Sequence, residues 1–193
     1  MDRIFENDNK TAYLDAGIFT NKELLNQCVL DVIPLLQERP EIIVFGKVCN
    51  QNRNIGFFSD KSRGYNYSRK LMASTPLTPS LSELLTTINN MFGSEYNGVL
   101  VNEYKDGNNC IGAHSDDETG LDNSGVVAIS YGAERIFRIR DKENKTIVCD
   151  TKTNHCGIIK MGGGFQKLYT HEIPVQKKIK ESRISFTFRK HLI

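Results

Sequence analysis

The stretch Arg183–Arg189, RISFTFR, alternates polar and apolar side chains without a break. In a strand, successive side chains point to opposite faces and positions two apart share one. Ile184, Phe186 and Phe188 therefore share one face, and Arg183, Ser185, Thr187 and Arg189 the other. Central strands of a plain sandwich seldom turn such a dicationic face inward, whereas a strand facing solvent usually carries one. The alternation alone leaves both placements open. Its companions narrow the fold. From residue 98 onward the chain reads as short strands at 98–104, 126–131, 135–140, 145–150, 157–160, 167–170 and 183–189. Short strands at such regular spacing predict a sandwich or jelly roll.

Ahead of these strands the chain offers two helices. Thr20 and Glu23 fit a capping box before a stripe of Leu24, Leu25, Cys28, Val29 and Val32, with Pro34 and Pro40 to end it. Ser80 and Glu83 fit a second box, with Pro79 at the entrance and Gly93 placed as terminator. Residues 1–12 read as a polar, flexible tail. Residues 41–48, EIIVFGKV, read as one strand in which Phe45 stands before a glycine, as a core residue beside a bulge or as something more exposed. From residue 49 to 74 basic and aromatic residues interleave, and Tyr65, Tyr67 and Arg69 share a strand face. Such a surface suits phosphates and stacked bases, although a solvated hairpin looks similar.

The 193 residues bound a single domain, 1–193, and the net charge of +2 demands no anionic partner. Five cysteines without a C-x-x-C pair, behind the polar N-terminus MDRIFENDNK, predict a soluble protein of a reduced intracellular compartment, with nucleus and cytoplasm not distinguished. No apolar run is long enough to span a membrane. Cys149, His155 and Cys156 match no common zinc spacing.

The chemistry concentrates in residues 99–118, a short apolar strand, an Asp-Gly loop and then His114-Ser115-Asp116. His114 and Asp116, two apart, can project together, and His171 ends a later strand-like run. Two histidines and one carboxylate on one side of a metal leave three positions open, an arrangement that suits Fe(II) in oxygenases. A dicarboxylate cosubstrate chelating that iron needs a cation at its far carboxylate. Arg183 supplies one, helped by the hydroxyls of Ser185 and Tyr104, while Arg189 balances the metal-side carboxylate and Asn102 donates to it. On this reading the polar face of the last strand lines an open jelly roll. His191, near the C-terminus, reads as frayed.

The order of Asn102-x-Tyr104-x-Asp106-Gly107, His114-x-Asp116-Asp117-Glu118, Ser130-Tyr131-Gly132-Ala133, Tyr169-Thr170-His171 and Arg183-x-Ser185-x-Thr187-Phe188-Arg189 is more specific than any one of them. In these motifs the chain, from about Tyr13 to its end, resembles the AlkB family of Fe(II)- and 2-oxoglutarate-dependent dioxygenases. The resemblance implies an α+β, mainly β fold. Its core is a double-stranded β-helix (jelly roll), with N-terminal helices packed on one sheet and a nucleotide-recognition lid. It implies that His114, Asp116 and His171 ligate catalytic iron, that Asn102, Tyr104, Arg183, Ser185 and Arg189 hold 2-oxoglutarate, and that O2 is the second cosubstrate.

The subgroup most resembled repairs alkylated bases in duplex DNA. Residues 44–74 then become finger and lid. Val44-Phe45-Gly46-Lys47 looks like the finger whose phenylalanine enters the base stack, and Arg53 resembles a residue that braces the opened duplex. Tyr65-x-Tyr67-Ser68 resembles the lid strand, with Tyr67 stacking on the flipped base, and Asp117 and Glu118 match positions that contact its edge. Two departures stand out: Phe57-Phe58-Ser59-Asp60 replaces a more usual Tyr-Gly-Asp, and no tryptophan follows the finger lysine. The expected function is oxidative demethylation of 1-methyladenine- and 3-methylcytosine-type lesions in DNA, by a monomer with nucleic acid as its partner. Formaldehyde is released as 2-oxoglutarate becomes succinate and CO2. The alternatives are an RNA demethylase, or a protein- or lipid-directed oxygenase of the same family. Arg135, Arg138 and Arg140 read equally as a nucleic-acid groove or as ordinary surface.

Overall fold

A computed structural model describes the chain except residues 45, 68, 69, 119, 123 and 193, and the side chains of residues 44, 65–67, 70 and 71 also lie outside the description. Strands β1 (Asp2–Glu6) and β2 (Ala12–Ile18) precede helix α1 (Lys22–Val32) and a 3-10 turn at Ile33–Leu35. Five short strands follow: β3 (Glu41–Val44), β4 (Lys47–Asn50), β5 (Asn54–Phe58), β6 (Gly64–Tyr67) and β7 (Lys70–Ala73). Helix α2 (Pro79–Phe92) leads into β8 (Gly98–Tyr104), β9 (Ile111–His114), β10 (Val126–Gly132), β11 (Arg135–Asp141), β12 (Ile147–Thr153) and β13 (Gly157–Gly163). The one-turn helix α3 (Phe165–Leu168), β14 (Tyr169–Ile173) and β15 (Arg183–Arg189) complete the chain.

Seven strands form the larger sheet in the order β1-β2-β13-β10-β15-β8-β5, and four form the smaller in the order β12-β11-β14-β9. The two face each other as a jelly roll, and β3-β4 and β6-β7 stand apart as two-stranded hairpins. The last strand now has its context. Ile184, Phe186 and Phe188 join a core with Leu24, Leu25 and Cys28 of α1 and Leu81, Leu84 and Ile88 of α2. The helices therefore cover one face of the large sheet. Each fully buried phenylalanine or leucine there contributes roughly 1.5–3 kcal/mol. The opposite face contributes Tyr104, Ala128, Ile159 and Met161 to a second core shared with Phe137, Ile139 and Ile173 of the small sheet. One strict alternation thus anchors the helical layer with one set of side chains and turns the other between the sheets.

Several local expectations change. The polar tail of residues 1–12 is instead a strand and turn: Asp2–Glu6 pairs antiparallel with β2, and the Phe5 ring meets Tyr169 at 5.0 Å. Helix α1 is capped by Asn21, whose side chain accepts from Leu24 N, rather than by Thr20. Helix α2 is capped by Thr78, which accepts from Leu81 N, and this frees Ser80 to donate to Asp31 on α1 at 2.6 Å. Residues 41–48 are not one strand, because β3 and β4 pair back on each other as a hairpin, with Gly46 at φ +77°. Extended backbone cannot supply a positive φ, so the chain reverses there. Among the described residues no helix is long and apolar enough to cross a membrane.

Candidate metal centre and cosubstrate cavity

Register brings the metal residues together. His114 on β9 and His171 on β14 are direct cross-strand partners in the small sheet, with ring centroids 4.3 Å apart. Asp116, two residues beyond His114, completes a cluster whose candidate ligand atoms lie within 4.8 Å of one another. The carboxylate stands between the rings, with Oδ1 3.8 Å from His114 Nε2 and Oδ2 3.7 Å from His171 Nε2. The His114 Nδ1 lies 2.9 Å from the Gly112 carbonyl; donating there fixes the tautomer and leaves Nε2 as the ligand atom. Phe137 stacks on His171 at 5.2 Å.

The electrostatics favour a cation. Burial pushes the His171 imidazole down to about 3, and it also lowers His114, so both rings are neutral ligands at neutral pH. For Asp116, burial works to raise the carboxyl, but Arg189 and the two histidines outweigh it and hold the group below its ordinary value. Arg189 Nη2 donates to Asp116 Oδ1 at 2.5 Å. Asp116 Oδ2 and His171 Nδ1 are buried atoms without hydrogen-bond partners among the described residues. Two neutral imidazoles and an ionised, under-satisfied carboxylate fit a divalent metal.

The cluster opens into a cavity of about 520 Å³ of unfilled space, its open mouth included, between the two sheets. Asn102, Tyr104, Arg183, Ser185 and Arg189, the residues named for the cosubstrate, all line it. They come from β8 and β15, which pair so that Tyr104 faces Arg183 and Asn102 faces Ser185. Arg183 is held by two hydroxyls, donating from Nε to Thr153 at 3.1 Å and from Nη2 to Ser130 at 2.9 Å. Its Nη1 has no partner among the described residues. A buried guanidinium with one free N–H edge in a cavity fits a carboxylate.

The substrate residues fare differently. Arg53, expected to brace the opened duplex, lines the same cavity as the metal cluster. It is buried in the cavity wall and donates from Nε to Asn102 Oδ1 at 2.7 Å. Asp117 is exposed and paired with Lys142 Nζ at 2.5 Å, and Glu118 is half-buried. Phe45 and Ser68 lie outside the described residues, as do the side chains of Tyr65 and Tyr67; the strands flanking Phe45 are the exposed hairpin β3-β4. His191 is not frayed: it is buried, bridges to Leu121 and rests its ring 4.8 Å from Phe57. The arginines of β11 do not form an open groove. Arg135 is buried, while Arg138 pairs with Asp150 and Arg140 with Glu172. Cys149 and Cys156 are free thiols, and His155 accepts from Gly132 N.

Two positioning contacts escaped the sequence. Thr153 and Gln166 carry no motif, and their partners are remote in the chain. Gln166 on α3 accepts from Asp116 N at 2.8 Å.

Comparison with known proteins places this geometry. The 2OG-Fe(II) oxygenase superfamily matches residues 19–189. The human protein named DNA oxidative demethylase ALKBH2 is 32% identical over 158 residues, covering 78% of this chain and 60% of its own. Its mouse counterpart is 32% identical over 160 residues, covering 79% and 67%. The rat alpha-ketoglutarate-dependent dioxygenase alkB homolog 3 is 35% identical over 135 residues, covering 65% and 46%. The chain thus spans about 60% of the human relative's length. The solved structure titled "The structure of OsALKBH1" shares the fold at a TM-score of 0.59 and 15% identity, over 92% of this chain and 97% of that one. A His-Asp-His cluster beside an arginine-lined cavity, inside a jelly roll with these relatives, makes the chain a member of the AlkB family within the 2OG-Fe(II) oxygenase superfamily.

Proposed function

We propose that this chain removes N-alkyl groups from DNA bases of the 1-methyladenine and 3-methylcytosine type. One observation carries the reading: the His114-Asp116-His171 cluster and the free edge of Arg183 open on the same cavity. The relatives' names supply the DNA. With Fe(II), 2-oxoglutarate and O2 bound, the site supplies an oxidation in which the keto acid becomes succinate and CO2 while an N-methyl group is hydroxylated and lost as formaldehyde.

The chain's own residues do the positioning. His114, Asp116 and His171 would hold the metal, and three protein ligands would leave room for the cosubstrate. Arg183 and the Tyr104 end of the cavity take the far carboxylate of the cosubstrate, with Ser185 beside them. Arg189 holds the Asp116 carboxylate ionised, and Arg53 fixes the Asn102 amide so that its NH2 is the remaining donor. Asp117, which directly follows a metal residue and is exposed beside Lys142, accepts from the exocyclic amine of a flipped base in this reading. The hairpin β3-β4 presents Ile43 and Val48 side by side to solvent, as a finger entering a base stack requires.

The test is a substrate panel. Protein with Fe(II) and 2-oxoglutarate is incubated with methylated single-stranded DNA, duplex DNA and RNA, and the products are resolved by mass spectrometry. The expected result is methyl loss from DNA that disappears in His114→Ala. Phe45→Ala should hurt the duplex far more than the single strand. Intact methyl groups on every oligonucleotide, with His114→Ala no different from the parent, would sink the proposal.

A further inference from the structure

Arg135 is among the most deeply buried large side chains of the molecule, 1% exposed, and the activity as read so far gives it no part. Its guanidinium meets only neutral acceptors. Nη1 donates to the Asp106 carbonyl, Nη2 to the Asn109 and Pro174 carbonyls, and Nε to Gln176 Oε1. No carboxylate pairs with it among the described residues. It lies 5.7 Å from the Tyr104 ring centroid, and Arg183 lies 5.2 Å from the same ring. Among the described residues Arg183 likewise has only hydroxyl partners.

Two buried guanidinium ions on one aromatic ring, neither in an ion pair with a carboxylate among the described residues, are costly unless an anion joins them. Burial lowers the basicity of both; the Arg135 charge further disfavours that of Arg183, while Tyr104, Cys110 and Asp106 work to favour that of Arg135. The acceptors of Arg135 are also informative. They belong to the loop after β8 and the segment after β14, which meet again where Gln176 N donates to the Gly107 carbonyl. A Cβ at Gly107 would fall 1.9 Å from the Gln176 carbonyl oxygen, so this closure needs glycine. Arg135 therefore fastens the two segments behind Tyr104.

We infer that Arg135 is a positioning residue for the cosubstrate: it gives the Tyr104–Arg183 end of the cavity a second buried positive charge and so selects a dicarboxylate. The inference rests on reading that end as the seat of the far carboxylate of 2-oxoglutarate. It acts through the field and through Tyr104, without touching the ligand.

The test measures binding rather than turnover. Protein loaded with redox-silent Mn(II) is titrated calorimetrically with 2-oxoglutarate and with 2-oxoglutaramate, in which the distal carboxylate is an amide. Arg135→Gln should weaken 2-oxoglutarate on the order of tenfold to a hundredfold while moving the amide by about twofold or less. Arg135→Lys should recover part of the loss. Gln176→Glu keeps the arginine and sets a carboxylate beside it; it should reproduce the selective loss in a protein that still folds, as a thermal melt will show. Equal weakening of both ligands would make Arg135 a structural staple and overturn the inference. So would unchanged binding in Arg135→Gln and Gln176→Glu while Arg183→Gln loses 2-oxoglutarate. If Arg183→Gln also binds normally, the seat itself is misplaced and the proposed function fails with it.

Discussion

Gln166 ties the metal residue to the fold at the level of a single amide. Its Oε1 accepts from Asp116 N, its Nε2 reaches Met161 Sδ at 3.4 Å, and its backbone carbonyl accepts from Lys142 Nζ at 3.2 Å. The backbone bond sets where the Asp116 carboxylate starts from, since that residue follows β9 and belongs to no strand. Groups that orient a ligand typically govern metal affinity by about tenfold to a hundredfold. Gln166→Ala is therefore expected to weaken Mn(II) or Fe(II) binding by about that factor, measured by titration, with a far smaller effect on the melt of the metal-free protein. An unchanged metal affinity would place the orientation of Asp116 elsewhere. At this scale the sequence was legible where spacing is short or alternation strict: His114 and Asp116, and the polar face of β15. It was mute where partners are remote, as for Gln166 with Asp116, or Thr153 and Ser130 with Arg183, because nothing local marks a contact made through sheet register. Arg53 was named through resemblance alone, and nothing in its polar surroundings announces that the residue just before β5 is buried against Asn102.

Among the elements, α2 shows how tertiary contacts choose between caps that a sequence leaves equivalent. Thr78, Pro79, Ser80 and Glu83 offer two starts. Thr78 takes the cap, with extended backbone and Oγ1 accepting from Leu81 N at 3.2 Å, and Pro79 follows at a position that needs no N–H. Ser80 then donates to Asp31 and fastens α2 to α1. The two hydroxyls should separate in experiment. Thr78→Ala should cost about 1 kcal/mol in the parent through the lost cap, and its hydroxyl also meets that of Ser80 at 3.2 Å. Ser80→Ala should cost about 1.5–3 kcal/mol in the parent but almost nothing in an Asp31→Ala background, since its hydrogen bond is to a charged group. Urea unfolding of the double-mutant set reads both, and an equal Ser80→Ala cost in the two backgrounds would remove the tether. The same logic explains the hairpin. Apolar residues through Glu41–Val44 and beyond conceal a reversal that only the backbone at Gly46 reveals, whereas β8, β10, β11 and β15, each bounded by its own turn residues, could be read nearly end to end; β1, β2, β5 and β9 of the jelly roll were not read as strands.

At the scale of the whole molecule, the chain's end is part of the site's support. Asn97 accepts from His191 N at 2.7 Å and donates to its carbonyl at 2.8 Å. Leu192 N donates to the Gly120 carbonyl and Asp122 N to that of Lys190, which holds the segment following Asp116, Asp117 and Glu118 against the last residues. The His191 ring fits because residue 98 is glycine: a Cβ there would meet both that ring and Phe57 inside 3.0 Å. A terminal polar residue has no sequence signal for such burial, which is why it read as frayed. Burial, and then the charge of Arg189, bring the His191 imidazole down to about 4. An unfolded histidine titrates near 6.5, so between those values the unfolded chain binds a proton that the folded chain refuses. The stability conferred by a neutral His191 is therefore complete above about pH 6.5 and is lost as pH falls toward about 4. Metal-free protein should lose stability across that interval, and His191→Gln should remove part of the slope, on the order of 1–3 kcal/mol. Denaturant melts at pH 7.5, 6 and 5 measure it. Saturating Mn(II), which binds the folded chain, should raise the melting temperature at pH 7.5. Parallel stability curves for the parent and His191→Gln would mean that this ring does not hold the C-terminal segment, and the support of the Asp116 loop would then rest on the Leu192–Gly120 and Asp122–Lys190 bonds alone.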